Sequence, residues 1–411
     1  MDNRLGTKME CTKLQECLAC GNDHLVLTLN LGNQAPANNL RENAQDPFTS
    51  YPLAVNRCTE CNHLQLTHVV NPDILYKNYL YVSGTSATYL RYMKWYANFC
   101  LEKLGYSCRD LCVLDIGCND GSQLDAFKEL GFQTHGVDPA ENLYAISSAK
   151  HSVTLDYWNT DTIKQINQHF DIITSQNAFA HIPDPLTYLK LVKQRLKLTG
   201  RMFISTSQAD MVLNSEFDTI YHEHISFYNA ESMRRLAERA GLCLVDVVKT
   251  PIHGTSYIFI LAHECCDQFN LENILEMERS QGLQSAETYD LWASSVDKTL
   301  FEINRIIQDH RNRGFTVIGY GAAAKGITIV TAGKLDIDLI IDDNPLKQNK
   351  YLPGLDIQIV GSDYLTECNH ENILFIPLAW NLYLEIKRQI RGRRNNNNDR
   401  FLRYFPRIEI Q

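Results

Sequence analysis

LCVLDIGCNDGSQLDAF, Leu111–Phe127, is the stretch on which the fold turns. Val113-Leu114-Asp115-Ile116 reads as a short buried strand. Gly117-Cys118-Asn119-Asp120-Gly121 is a tight glycine loop, and Leu124 and Phe127 follow at helical spacing. A strand that ends in a glycine turn and enters a helix N-terminus is a ligand cradle: backbone approaches closely there, and N–H groups without helical partners point outward.

Outward from this stretch the chain alternates. Strands are expected at Cys112–Ile116, Gln133–Val137, Asp171–Ser175, Arg201–Thr206 and Cys243–Val248, with helices between them such as Pro185–Leu196 and Ala230–Ala240. That pattern predicts a parallel sheet covered by helices on both faces. Ligands in such sheets sit at the C-terminal ends of the strands. The second strand ends in Gly136-Val137-Asp138-Pro139, and an acid about 20 residues past the glycine loop can take both hydroxyls of a ribose. The dinucleotide pattern G-x-G-x-x-G is absent. The acids in and beside the loop would repel a pyrophosphate, and Asp115 adds to that negative field. They suit the sulfonium and ammonium of S-adenosylmethionine. Asn177 and His181, after Asp171–Ser175, fall at the same rim; position alone lets His181 be a site residue or a packing residue.

At 411 residues the chain is expected to hold two to four domains. Hydrophobic content of 44%, charged content of 21% and a net charge of −9 fit a globular protein without a nucleic-acid surface. The basic cluster Lys387–Arg394, followed by Asn395–Asn398, reads as an exposed helix end and loop. No apolar run is long enough to span a bilayer, and MDNRLGTKME lacks a signal-peptide core, so no membrane partner and a cytoplasmic location are expected. Thiols are then expected to be reduced. Nine of the thirteen cysteines, Cys243 and Cys265 among them, read as scattered core or surface thiols.

The other four form two C-x2-C knuckles, Cys17/Cys20 and Cys58/Cys61. Each knuckle can present two thiolates to one tetrahedral ion, and the segment between them can close back on it. Gly21 and Asn62 follow the knuckles, as tight turns prefer. Four protein ligands make the expected Zn2+ structural.

Residues 72–105 read as helical, with aromatics that belong mainly to a core. Tyr79–Ser86 is a hydroxyl-rich turn just ahead of the glycine cradle, from which one tyrosine can reach a site. Tyr221-His222-Glu223-His224-Ile225-Ser226-Phe227-Tyr228 is the densest chemical cluster. A histidine beside a carboxylate can be tuned as a general base near neutral pH. A metal needs further ligands that the neighbourhood does not supply, so a base ranks above a metal. In the last third, a strand is expected at Tyr257–Ala262 and a long helix at Ser280–Asn312. A second strand and glycine loop follow, Thr316–Gly326, and then Leu339–Ile341 with Asp342-Asp343-Asn344-Pro345. Lys325, at a helix N-terminus, can hold a phosphate; alternatively this second unit binds nothing and only closes a cleft.

The joint occurrence and order of both knuckles, VLDIGCNDGSQL, GVDPAEN, NAFAHIPD, YHEHISFY, GYGAAAKG and IDDNPLKQ resemble the sugar C-methyltransferase family. Its members methylate a carbon of nucleotide-linked keto-deoxysugars. The resemblance covers nearly the whole chain. It implies an α/β architecture of a zinc-binding domain (1–75), a central S-adenosylmethionine methyltransferase domain with a Rossmann-like fold (76–250) and a C-terminal Rossmann-like substrate-binding domain (251–411). It implies zinc on Cys17, Cys20, Cys58 and Cys61, and a methyl donor lined by Asp115, Gly117, Asn119, Gly121, Asp138 and Asn177. Tyr221, Glu223 and His224 match the family's active-site triplet, with His224 as the base and Glu223 fixing its imidazole. His181 and Tyr81 match secondary catalytic positions; Ser256, Gly321 and Lys325 are candidate substrate contacts. The family commonly reads His-Gly-Gly-Ser with a close arginine where this chain has His253-Gly254-Thr255-Ser256-Tyr257, a departure that bears on substrate identity more than on reaction type. The rival expectations are an O- or N-methyltransferase and a nicotinamide-binding oxidoreductase.

Overall fold

A computed structural model describes residues 10–76, 82–85, 87–105, 110–206, 211–251, 255–265, 269–394 and 396–411. They form two compact units, each assembled from separate pieces of chain. The first takes Met1–Val26, Asn56–Ala209 and Ile225–Gln284; the second takes Leu27–Val55, Asp210–His224 and Ser285–Gln411.

The first unit is built on a seven-stranded sheet. Its strands are β1 (Cys112–Ile116), β2 (Gln133–Asp138), β3 (Ser152–Leu155), β4 (Phe170–Gln176), β5 (Leu196–Thr206), β6 (Cys243–Thr250) and β7 (Ser256–Ala262). They lie in the order β3-β2-β1-β4-β5-β7-β6. Pairing is parallel from β3 to β5, whereas β7 is antiparallel to both β5 and β6. The sheet is therefore mixed, where the alternation of elements predicted an all-parallel one. Only Pro251–Thr255 separate β6 from β7, and so short a connection permits a hairpin but no crossover. The strand expected at Tyr257–Ala262 is thus an inner strand of this sheet.

Side-chain alternation along the strands feeds two cores. Val113, Ile172, Phe203 and Ile258 join Tyr89, Met93 and Tyr96 of helix α1 (Ala87–Leu104) on one face. Leu114, Ile173, Ile204 and Phe259 join Leu189 and Val192 of α2 (Pro185–Arg195) and Met233 and Leu236 of α3 (Ala230–Ala240) on the other. The antiparallel register sets Cys243 opposite Ala262. That brings Cys265, just past β7, to a Cα separation of 5.2 Å from Cys243, and the two form a disulfide. This corrects the expectation that both are scattered thiols.

In the second unit β8 (Thr316–Tyr320), β9 (Leu339–Ile341), β10 (Gln358–Val360), β11 (Ile373–Pro377), β12 (Arg400–Arg403) and β13 (Glu409–Ile410) order as β10-β9-β8-β11-β12-β13. All pairs are parallel except the last. The long helix ends at Arg311 and begins at Ala286, a start later than the expected Ser280, because a turn with Gly282 at φ 80° separates it from Phe269–Ser280. Among the described residues no helix is long and apolar enough to cross a membrane.

Candidate active site

β2 and β3 follow β1 to one side, and the chain then returns to place β4 on the other side of β1. The crevice opened by such a reversal is where α/β sheets hold ligands. A cavity lies there, walled by Ile116, Gly117 and Asn119 after β1, Asp138 after β2, Asp156–Trp158 after β3 and Gln176–Ala178 after β4. Tyr76, Ser83, Tyr89 and His181 are also part of its wall. Of the expected donor-lining residues, Gly117, Asn119, Asp138 and Asn177 meet on this wall, while Asp115 and Gly121 are not among its lining residues. Gly117 has φ +86°, and a Cβ there would stand 2.6 Å from that of Ala178, so glycine keeps the backbone open at the wall. The Asn119 N–H donates to Asp138 Oδ2 at 2.8 Å, and Asn119 Oδ1 accepts from Ser83 N at 3.0 Å. One asparagine thus ties the glycine loop to the ribose-type acid and to the segment ahead of α1.

The acids divide differently from the sequence expectation. Asp120 accepts from the N–H groups of Gly84 and Ser122, at 2.8 and 3.1 Å, and serves the loop itself. Asp115 is buried beneath Thr174, whose hydroxyl donates to it at 2.7 Å. Burial pushes its carboxyl up to about 7, so it is only partly ionised at neutral pH. The wall's carboxylates are Asp138 and Asp156. A testable consequence follows from the sign of the Asp115 shift. The unfolded chain ionises this carboxyl near 4 and the folded one near 7, so its stabilising contribution is complete below about pH 4 and is lost as pH rises through 7. Asp115→Asn lacks that loss. The melting temperature of the native chain, relative to that of Asp115→Asn, should fall steadily from pH 4 to pH 7; a pH-independent difference would show that Asp115 is not held protonated.

S-adenosylmethionine fits this wall by the wall's own unmet needs. Gln176 Oε1 and Asn177 Oδ1 are buried acceptors with no hydrogen-bond partner among the described residues. Their amide nitrogens are committed, Gln176 Nε2 to Gln123 Oε1 at 2.7 Å and Asn177 Nδ2 to Tyr89 Oη at 3.2 Å, so both oxygens require an outside donor. The methyl donor's ammonium and ribose hydroxyls are such groups. Trp158 and Tyr157 offer flat apolar surface beside them. Sequence reasoning missed Asp156–Trp158 because β3, which positions them, was not recognised. His181 stacks on Tyr76 with ring centroids 5.6 Å apart, and burial pushes its imidazole down to about 4, so it is neutral at pH 7. Tyr81 lies outside the described residues, as do His253 and Gly254; among the described residues Tyr76 is a tyrosine set against His181.

The Tyr221–His224 cluster belongs to the second unit. It is a turn, closed by His224 N–H to Tyr221 O at 2.9 Å. His224 Nδ1–H donates to the Thr219 carbonyl at 2.8 Å, and a carbonyl can only accept, so Nε2 carries the lone pair. The Tyr221 hydroxyl donates to that lone pair at 2.8 Å. The backbone of Thr219 thereby fixes the imidazole, the part expected of Glu223. Glu223 is itself buried and accepts from Asn38 Nδ2 at 2.6 Å. His222 is buried, bonds Tyr51 O at 3.2 Å and is pushed down to about 4 by burial, a packing histidine.

The second glycine loop is largely satisfied from within. Gly321 N–H donates to Ile341 O at 2.7 Å and Ala322 N–H to Asp342 Oδ2 at 2.7 Å, so these two N–H groups are not available to a pyrophosphate. Lys347 Nζ donates to Ala322 O at 2.7 Å. Lys325 Nζ lies 5.9 Å from the Trp380 ring centroid, and Trp380 Nε1 donates to buried Asp218 at 2.7 Å. Gly321 and Lys325 therefore share the second unit with Tyr221–His224, whereas Ser256 is fully buried in β7, in register with Thr250.

Cys17, Cys20, Cys58 and Cys61 bring their four Sγ atoms within 4.8 Å of one another. The pairs Cys17–Cys61 and Cys20–Cys58 stand 3.7 and 3.5 Å apart, close to the roughly 3.8 Å edge of a tetrahedron with 2.3 Å zinc–sulfur bonds. Gly21 and Asn62 turn the knuckles at φ 81° and 54°. Four thiolates leave no open position, so the site holds Zn2+ without offering it to a substrate.

Three family descriptions match the chain in series: "Putative zinc binding domain" over residues 17–76, "Methyltransferase domain" over 89–247 and "C-methyltransferase C-terminal domain" over 251–406. C-methyltransferase NovU of Streptomyces niveus is 31% identical over 386 residues, 91% of each chain. The chain belongs to the C-methyltransferase family. It is an S-adenosylmethionine-dependent C-methyltransferase, which sets aside both the O/N-methyltransferase and the oxidoreductase expectations. A ubiquinone biosynthesis O-methyltransferase of Ruegeria is 29% identical over 152 residues, 33% of this chain and 62% of that one. Among solved structures, an S-adenosylmethionine-dependent methyltransferase of Clostridium acetobutylicum aligns at 17% identity with a TM-score of 0.35, covering 42% of this chain and 91% of its own.

Proposed function

We propose that this C-methyltransferase methylates a carbon α to the ketone of a nucleotide-linked deoxysugar, with His224 forming the enolate. The observation that carries the reading is the fixed tautomer of His224: Nδ1–H is held by Thr219 O, and Nε2 is the basic nitrogen. A hydrogen on carbon beside a ketone is acidic because its anion spreads onto the carbonyl oxygen, and a positioned imidazole is suited to removing it. The proton passes to Nε2 directly or through the Tyr221 hydroxyl that donates to it. Glu223, fixed by Asn38, supplies negative charge that favours the imidazolium once formed. His181, neutral and stacked on Tyr76, is a hydrogen-bond donor for oxygen on which charge develops. S-adenosylmethionine, when bound, supplies an electrophilic methyl group. Asp138, Gln176 and Asn177 orient it through its ribose and amino-acid groups.

The test is incubation of the chain with isotopically labelled methyl donor and a panel of nucleotide-linked ketosugars, followed by product fragmentation. Label on carbon next to the former ketone is the expected outcome; label on oxygen or nitrogen, or turnover only of ketones without a nucleotide, overturns the reading.

Lys347 is a further participant that sequence reasoning missed. It is half-buried, its ammonium disfavoured by desolvation and favoured by Asp342 and Glu223. Lys347→Met should lower kcat about tenfold or more and move the acid limb of the pH–rate profile to higher pH, because a carboxylate that loses a nearby cation holds its proton more readily. An unchanged profile would show that Lys347 only anchors Ala322.

A further inference from the structure

Arg41 is 6% exposed, yet its Nε and Nη2 make no hydrogen bond among the described residues. Buried guanidinium donors without acceptors are costly and call for an explanation. Arg41 lines a cavity of the second unit together with Asp46, Phe48, Gly354 and Asp356. Its backbone is fixed: Arg41 N–H donates to Tyr351 O at 3.0 Å and Tyr351 N–H to Arg41 O at 2.8 Å. The Phe48 ring lies 5.4 Å from the guanidinium carbon, and Phe48 is half exposed. Gly354, at φ +74°, makes room for that ring; a Cβ there would stand 2.7 Å from Phe48 Cζ. The guanidinium is thus held in place, covered by an aromatic ring and short of acceptors.

We propose that Arg41 is the receptor for a phosphoryl group of the substrate, which rests on the reading of that substrate as nucleotide-linked. Guanidinium is planar and presents paired N–H groups that match two oxygens of a phosphoryl group. The location suits a substrate handle. Asn38, which holds Glu223, precedes Arg41 by three residues, at most about 11 Å of extended chain. An anionic group joined to a sugar reaches across that span. Other charges face the site. Asp46 and Asp356 on its wall oppose an anion, and Lys350, next to Tyr351 on the facing segment, is paired with Glu42 at 2.8 Å. Neither acid accepts from the guanidinium Nε or Nη2.

The experiment is isothermal titration of the full chain with inorganic pyrophosphate and with a nucleoside diphosphate at fixed ionic strength, alongside KM for an accepted nucleotide-linked ketosugar. Arg41→Gln should weaken both ligands about 10- to 100-fold, and Arg41→Lys should recover part of the loss. Asp46→Asn, which keeps an oxygen for the Asn43 N–H, should tighten both about two- to fivefold. Equal binding by the native chain and Arg41→Gln, no binding by the native chain, or no tightening in Asp46→Asn overturns the proposal. The two readings fail separately. Turnover of a nucleotide-linked ketosugar with unchanged KM in Arg41→Gln sinks the Arg41 site and leaves the substrate. Pyrophosphate binding lost in Arg41→Gln, with no such ketosugar accepted, leaves an anion receptor and sinks the substrate.

Discussion

Replacing His224 by asparagine should lower kcat about 10²- to 10⁴-fold while leaving the affinity for S-adenosylmethionine within about twofold. The asparagine amide can still donate to the Thr219 carbonyl, as Nδ1 does, so the turn that closes on Tyr221 is kept. What disappears is Nε2, the atom that receives the Tyr221 hydroxyl. The decisive measurement is deuterium wash-in at the substrate's α-carbon without methyl donor, because it isolates proton removal from methyl transfer. Exchange at the native rate in His224→Asn would remove His224 as the base. Slow exchange together with slow methylation ties both steps to one imidazole. Tyr221→Phe separates the direct route from the relayed one: a direct route predicts a small loss, a relay through the phenol a loss close to that of His224→Asn.

The largest effect on stability is expected at the zinc site. Native chain should carry one zinc, and Cys58→Ser or a strong chelator should remove it and lower the melting temperature by at least about 10 °C. Structural zinc in small peptides contributes on the order of 10 kcal/mol, and here the knuckles are embedded in a larger core. Cys17, Cys58 and Cys61 pack in the same cluster as Leu114, Ile173 and Phe259 of the central sheet. Arg239 of α3 donates to Ala19 O, within the first knuckle, at 2.7 Å. Loss of the ion therefore loosens residues that also support the sheet. Cys11→Ser, outside the four-sulfur cluster, is the control and should keep both zinc and stability. Metal content by elemental analysis with calorimetry checks the pair; a zinc-free Cys58→Ser chain that melts like the native one would show the ion to be dispensable.

What could be read in advance depended on whether a feature leaves a periodic trace. The strands β1, β2 and β4 are short apolar runs bounded by turn formers, and the four cysteines carry their spacing openly. β3 does not: in Ser152–Leu155 no residue is buried, so its alternation is too weak to notice, and with it went Asp156–Trp158. The Cys243–Cys265 disulfide follows from register, which pattern alone does not specify, whereas the reversed direction of β7 was present in the short Pro251–Thr255 connection and was overlooked. Asp115 looked like a charge beside a ligand because sequence shows a carboxyl but not its burial. The partners that hold the base cluster, Asn38 and the Thr219 carbonyl, carry no motif; one is an amide 185 residues from Glu223 and the other is backbone. Arg41 was invisible for a similar reason, since only the folded chain reveals donors without acceptors.

The interleaving of the two units bears on how the protein is made. Leu27–Val55 belongs with Ser285–Gln411, yet about 230 residues must emerge from the ribosome between the end of one piece and the start of the other. At roughly 5–20 residues per second, that is a wait of about ten to fifty seconds. Through that interval the strands Leu25–Gln34 and Tyr51–Cys58 can pair with each other, while the larger part of the unit to which Leu27–Val55 belongs is still to be made. A folding helper that binds early segments, or a slowed rate of translation through the first unit, is therefore expected to change the yield of active enzyme far more than it would for a chain whose domains follow one another in order.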